Sequence, residues 1–347
     1  MSQKKKTFND LKAEVIEAEK CVSCGTCEAV CPLNVIELQD NMPTLVGNCI
    51  ECGICYANCP AVSFDEQEME EKIFGRKRKP NENLTGIYQE VYSARTTSDE
   101  IHEKAQDGGV VTALLTQFLN DDGEGVIVAG LEKDKIWVPS PVVAKTREQV
   151  IQAAGTKYTP SPTLVGVKRA VKEDKLEKIA VVGTTCQMRG LSLATMGKMK
   201  NKKIADSVAL KIGLFCMETF TYDSFMKYLK DKEVDPGRVT KFEIKNGRFY
   251  AWSGEERLHR VKLSAVKPLI RPNCTHCRDF TSEYADISVG NVGSPAGYST
   301  VIVRTERGKK ALESAIKSGL IEAEPITDFD KGKTPVHKLA EMKKSHE

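Results

Sequence analysis

Residues 21–60 read CVSCGTCEAVCPLNVIELQDNMPTLVGNCIECGICYANCP and hold eight of the chain's twelve cysteines. One spacing occurs twice: Cys21, Cys24, Cys27 and Cys31 recur as Cys49, Cys52, Cys55 and Cys59, and a proline, Pro32 or Pro60, closes each quartet. The pattern is C-x2-C-x2-C-x3-C-P. Three thiolates spaced three apart in a tight loop can hold three irons of a cubane, while the fourth, expected at the head of a short helix, points away to the other cluster. The ligands therefore cross over. Cys21, Cys24, Cys27 and Cys59 are expected on one [4Fe–4S] cluster, and Cys49, Cys52, Cys55 and Cys31 on the second. Two structural zinc sites or a set of disulfides would use the same residue type, but zinc knots rarely take three evenly spaced cysteines followed by Cys-Pro, and nothing points to export.

The stretch from about residue 17 to residue 64 resembles the bacterial two-cluster ferredoxins. A chain of 347 residues is too long for a ferredoxin alone and leaves room for a second domain with its own core. Charged residues make up 29% of it, and the mean hydropathy is -0.35. The formal charge is only +3, with Lys and Arg interleaved among Asp and Glu, which argues against nucleic acid or another polyanion as partner. No apolar run approaches bilayer length, and the start MSQKKKTFNDLK has a basic flank without an apolar region behind it. The expected location is the cytoplasm, where thiols stay reduced, with any membrane attachment running through other subunits.

Residues 64–86, FDEQEMEEKIFGRKRKPNENLTG, are acidic first and basic afterwards and read as a solvated, flexible linker, the basic run Arg76 to Lys79 being a lesser candidate for a docking patch. Beyond it, short apolar runs alternate with charged amphipathic stretches: GVIVAGL at 125–131, IAVVGTTC at 179–186, VALKIGLFC at 208–216, ADISVGNVG at 285–293 and STVIVRT at 299–305. Buried Val, Ile and Leu runs separated by helical patterns predict a mixed α/β domain around a buried sheet. The expected fold is α+β overall: a two-[4Fe–4S] ferredoxin domain over 1–64, a linker over 65–86 and a mixed α/β domain over 87–347.

Four cysteines remain. Cys186 and Cys216 close two strand-like runs, and Cys274 and Cys277 form the knuckle PNCTHC. Ends of adjacent buried strands meet in space in α/β domains, so these four are expected to make one further site. A zinc pattern of C-x2-C with two distant cysteines remains open, as does simple burial of each thiol. Electron transfer favours a third cluster, because it would extend a wire from the ferredoxin repeat into the second domain.

No G-x-G-x-x-G or Walker loop is present, and GEGVIVAG at Gly123 to Gly130 reads as a turn into a strand. In AQDGGVVTALLTQFL, Gly108 and Gly109 precede an amphipathic helix and bare its first N–H groups. In GTKYTPSP, residues 155–162, Lys157 supplies a cation and Thr156, Tyr158 and Ser161 supply donors. Each segment suits phosphate or flavin binding, and each suits an ordinary cap or turn equally well.

The succession DGGVVTALL, GTKYTPSP, VVGTTCQ, GLFC and C-x2-C followed by ADISVGNVG resembles the coenzyme F420 hydrogenase/dehydrogenase beta-subunit family over about residues 87–335. With the ferredoxin repeat in front, the whole chain is similar to the archaeal F420H2-oxidising members of that family. The resemblance implies FAD, the deazaflavin coenzyme F420 as substrate, and a [4Fe–4S] cluster on Cys186, Cys216, Cys274 and Cys277. It carries FAD contacts onto Gly108, Gly109, Val110, Thr112, Lys157 and Tyr158, with Thr184, Thr185 and Gln187 beside the cluster. It departs at Asn291, where the family usually has Asp. The chemistry implied is hydride transfer from F420H2 to FAD, then single electrons through three clusters to a ferredoxin or to subunits of a larger complex. No catalytic side chain is required for hydride transfer, and Lys157 or Arg189 is available to an anionic group of either coenzyme. Two other functions remain: a relay subunit with clusters and no flavin, and a related FAD and iron–sulfur reductase acting on a different substrate.

Overall fold

The computed structural model describes residues 5–327 and 334–346. Its thirteen strands among these are β1 (Ile36–Gln39), β2 (Met42–Leu45), β3 (Glu90–Thr96), β4 (Gly125–Leu131), β5 (Pro139–Ala144), β6 (Ile179–Thr184), β7 (Val208–Leu214), β8 (Lys241–Lys245), β9 (Arg248–Ser253), β10 (Glu256–Lys262), β11 (Ile287–Gly290), β12 (Ser299–Val303) and β13 (Ile321–Pro325). Successive side chains of a strand turn to opposite faces, and in the central strands both faces are apolar. Val126 and Val128 of β4 and Ala180 and Val182 of β6 enter one core, whereas Ile127, Ile179 and Val181 enter another. Such strands must be covered on both sides, which dictates a three-layer arrangement.

Eight strands form one sheet in the order β13-β3-β12-β11-β7-β6-β4-β5. Its centre, β4, β6, β7 and β11, is parallel, so their C-terminal ends share one edge. Antiparallel neighbours complete it, β5 beside β4 and β12 beside β11. Helices Val110–Asp121, Arg147–Gln152 and Glu306–Lys317 cover one face, and Thr163–Lys168, Thr185–Met196 and Lys202–Ser207 cover part of the other. The meander β8–β9–β10 folds with helix Tyr222–Asp231 around Phe220, Phe225, Phe242 and Phe249 as a separate aromatic core.

Residues 5–64 wrap hairpin β1–β2 and three short helices around Phe8, Leu11, Val15 and Ile36. This part is docked on the sheet domain, for Ala29 and Val30 enter the core of Leu164 and Val167. Leu164 donates its N–H to the Cys24 carbonyl at 3.0 Å. The approach is close enough to demand glycine: Gly25 has φ +87°, and a β-carbon there would lie 2.8 Å from the Val165 nitrogen.

The connector over 65–86 differs from the solvated linker expected. Asp65 accepts from the Glu68 N–H at 3.0 Å and starts helix Glu66–Phe74, and Gly75 ends it at φ +70°. Met69 is buried with Leu193 and Tyr284. The basic run is engaged in ion pairs: Arg76 binds Glu82, and Arg78 binds Glu70 and also Glu283 at 2.8 Å. Buried Arg304 then holds the far end through the Thr85 and Ile87 carbonyls at 2.8 and 2.9 Å. Alternating charge, which reads as a solvated tether, here pairs internally because the segment lies against the sheet domain.

Candidate functional site

The two cysteine quartets of the N-terminal part line two separate pockets. One is bordered by Cys21, Cys24, Cys27 and Cys59, the other by Cys31, Cys49, Cys52 and Cys55. Their mutual electrostatics follow the same partition. After burial, the strongest influence on Cys24 is Cys59, whereas Cys55 responds to Cys52, Cys49 and Cys31. Burial pushes both thiols up to about 12, which disfavours them as free thiolates and suits them to ligating iron. One local expectation is corrected. Each fourth cysteine leaves the C-terminal end of a short helix, Cys31 capping Thr26–Val30 and Cys59 following Ile54–Ala57.

The other four cysteines come from three places and meet at the shared edge of the parallel strands. Cys216 follows β7, and Cys186 lies in the first turn of helix Thr185–Met196, just past the end of β6. Cys274 lies within the 3-10 turn Pro272–His276, and Cys277 caps it. Thr219 donates its N–H to the Cys274 sulfur at 3.4 Å, and the Thr185 hydroxyl is 3.7 Å from the Cys277 sulfur. The charge of Cys216 is felt from Cys274, Cys186 and Cys277 in turn, each adding to the upward push of burial. Among the described residues no three His, Cys, Asp or Glu side chains gather as around a single ion. Thiolates of a cubane stand further apart, because each binds a different iron.

This third set faces the first. Cys186 responds to Cys277 and next among the cysteines to Cys24, across the boundary between the two parts of the chain. Arg271, three residues before Cys274, donates to the Cys21 carbonyl at 3.1 Å, the Val22 carbonyl at 3.3 Å and the Ser23 hydroxyl at 2.7 Å. A guanidinium fork thus fastens the loop of one cysteine set to the segment of the other.

The residues carried to FAD by resemblance divide. Helix Val110–Asp121 begins at Gly109 with no side-chain cap, leaving its first N–H groups without side-chain acceptors, and Val110 and Thr112 are buried in that turn. Gly109 has φ +69°, and a β-carbon there would lie 2.7 Å from Thr96 Cγ2; one on Gly108 would lie 2.7 Å from the Ala94 oxygen. These glycines are required by the sheet behind the turn. Gly109→Ala is therefore expected to lose about 1–2 kcal/mol from the left-handed backbone alone, with the Thr96 collision added. Thermal denaturation of iron-loaded, flavin-free protein reads this, and an unchanged midpoint would refute it.

Lys157 is turned inward, its ammonium on the Ala153, Ala154 and Gly155 carbonyls, and burial pulls it down to about 8. Tyr158 accepts the Ile244 N–H at 3.0 Å and stacks on Phe220, so it anchors the β8–β10 lobe. Gln187 caps Thr184 and donates to the Ser161 carbonyl at 2.7 Å, which ties the GTKYTPSP loop to the turn of Cys186. Arg189 stacks 4.3 Å over Phe64 and pairs with Glu66 at 3.0 Å, so it is engaged within the fold. Asp107, two residues ahead of Gly109, lies within the field of Lys241 and Lys245, neither of which carries a signal in the sequence. Burial raises the Asp107 carboxyl, Lys241 and Lys245 oppose that rise, and Asn291 hydrogen-bonds it. An aspartate at 291 would have repelled Asp107.

Comparison with known proteins gives matches along nearly the whole chain. Residues 91–168 and 176–329 match the N-terminal and C-terminal parts of the family described as coenzyme F420 hydrogenase/dehydrogenase, beta subunit, and residues 20–64 match a 4Fe-4S dicluster domain. The coenzyme F420 hydrogenase subunit beta of Methanosarcina barkeri is 40% identical over 74% of this chain and 89% of its own. A subunit of the F(420)H(2) dehydrogenase of Methanosarcina mazei is 32% identical over 96% of this chain and 91% of its own. A chain of the F420-reducing [NiFe] hydrogenase complex of Methanosarcina barkeri superposes with a TM-score of 0.72 at 39% identity, covering 78% of this chain and 92% of that one.

Proposed function

The chain belongs to the coenzyme F420 hydrogenase/dehydrogenase beta-subunit family, with a 4Fe-4S dicluster domain in front, and from that premise we propose that it is an iron–sulfur flavoprotein that oxidises reduced coenzyme F420. When bound, FAD supplies exchange between a hydride donor and one-electron carriers, and three [4Fe–4S] clusters supply the one-electron steps. Cys21, Cys24, Cys27 and Cys59 would hold the first cluster, Cys31, Cys49, Cys52 and Cys55 the second, and Cys186, Cys216, Cys274 and Cys277 the third. The uncapped start of Val110–Asp121 would take the phosphates of FAD through backbone N–H groups, with Lys241 and Lys245 adding positive charge. Lys157 and Tyr158 act behind this turn by fixing the 155–162 loop and the β8–β10 lobe.

The observation that carries the proposal is the facing of Cys186 and Cys24 across the domain boundary, clasped by Arg271. It supports a path from the edge of the sheet through the third site to the first, and on to the second at the far end of the ferredoxin part. The contacts of Arg271 and of Leu164 with the ferredoxin part would keep that path short. The electrons then pass to a ferredoxin or to companion subunits of an electron-transfer complex; both named relatives are subunits. Among the described residues no helix is long and apolar enough to cross a membrane, so attachment to a membrane complex would run through those companions. Anaerobically purified protein loaded with FAD and iron should couple F420H2 oxidation to viologen reduction. Loaded protein that leaves F420H2 unoxidised would overturn the assignment.

A further inference from the structure

The C-terminal helix Pro335–Lys344 crosses the sheet domain and ends over the third cysteine set. Its last turn is fastened there: Arg278 donates to the Lys344 carbonyl at 3.1 Å, and the His346 ring nitrogen Nδ1 is 3.2 Å from the Cys277 carbonyl. Two adjacent lysines do different things. Lys344 pairs with the buried carboxylate of Glu283 at 2.6 Å, so its charge is largely neutralised. Lys343 is 1% exposed, and its ammonium donates to two main-chain carbonyls, those of Met217 and Cys274. Carbonyl dipoles satisfy its N–H groups and leave its net charge in place. Burying a cation is costly unless an anion compensates it, and this one has Cys216 within its field and the Cys274 carbonyl as a partner.

We propose that Lys343 is a potential-setting residue for the third cluster, a fixed buried cation that favours the reduced form of the anionic centre on Cys186, Cys216, Cys274 and Cys277. This rests on the assignment of those four cysteines as cluster ligands. Reduction adds one negative charge to a centre already negative, and a cation held in low dielectric stabilises that added charge more than it would in water. The residue thereby sets the order of filling along the wire, holding electrons at the third cluster until the first accepts them.

Lys343→Gln keeps amide donors for the two carbonyls and removes the charge, whereas Lys343→Arg keeps the charge. In redox titrations of the reconstituted full chain followed by electron paramagnetic resonance, Lys343→Gln should lower the reduced-to-oxidised ratio of the third cluster at fixed potential about tenfold, or roughly 59 mV for one electron. Lys343→Arg should stay near wild type, and the two ferredoxin clusters should not move in either. Loss of four irons from Lys343→Gln alone would show that the charge holds the cluster rather than sets its potential, and would overturn the proposal. An unmoved potential in Lys343→Gln, or equal changes in both variants, would overturn the proposal. Wild-type protein with about eight irons and one zinc would instead overturn the cluster assignment beneath it.

Discussion

Protein reconstituted with iron and sulfide but free of FAD is expected to be reduced by dithionite and to take nothing from reduced F420. Adding FAD should restore the second reaction. A reduced deazaflavin gives up a hydride, two electrons at once, whereas each cluster takes one, so no direct exchange is available between them. The structure keeps the two requirements apart. The twelve cysteines are held by the loops around 21–31 and 49–59 and by the turns at 186, 216 and 274–277, while the proposed phosphate site is the start of helix Val110–Asp121. Cluster assembly should therefore survive flavin removal with about twelve irons retained, and F420H2 oxidation should fall to background. Bleaching of the clusters by F420H2 without flavin would sink the proposed order of carriers. A wild-type chain that never retains FAD would sink the dehydrogenase and leave the relay subunit.

The parts of this molecule legible in its sequence are those where chemistry fixes spacing. The C-x2-C-x2-C-x3-C-P repeat leaves little freedom, and its crossed partition reappears in the two cavities. The central strands are legible because both faces are apolar: IAVVGT forms β6 and VALKIGL forms β7. Strands β3, β8, β9 and β10 alternate or carry charge, and β8, KFEIK, reads as surface until Phe242 meets Phe225 and Phe249. The connector hides its helix in a charge pattern, although Asp65 and Gly75 are ordinary cap residues nine positions of helix apart. Local sequence cannot reveal that Glu70 and Glu283 find the same arginine from distant positions. The flavin residues are the least legible. Gly108 and Gly109 signal a tight approach, but sequence cannot say whether a ligand or the neighbouring strand is what approaches, and here it is Thr96 and Ala94. Asp107 stands within the AQDGG motif and gives no sign of its role, because Lys241 and Asn291, which face it, lie far along the chain.

Cys186→Ala should separate hydride acceptance from electron delivery. Alanine suits the first turn of helix Thr185–Met196, and although the thiol lies 3.4 Å from the Thr184 hydroxyl, the Thr184 N–H still donates to the Gln187 side chain that caps the helix start, so the fold should hold. With three ligands left, the third site should lose its cluster, and iron should fall from about twelve to about eight per chain. The ferredoxin signals should persist, because neither quartet of the N-terminal part uses residue 186. FAD should stay bound and still be reduced by F420H2, while the ferredoxin clusters no longer follow, because the site that faces Cys24 is gone. The wild-type protein makes the same measurement a test of the metal: about eight irons with one zinc would identify Cys186, Cys216, Cys274 and Cys277 as a structural site, and the variant would then lose zinc and stability together. If the variant keeps twelve irons, another residue is the fourth ligand. If it loses four and still passes electrons from F420H2 to the ferredoxin clusters at the wild-type rate, the path does not run through the edge of the sheet, and Arg271 fastens two parts of the chain without joining two steps of a wire.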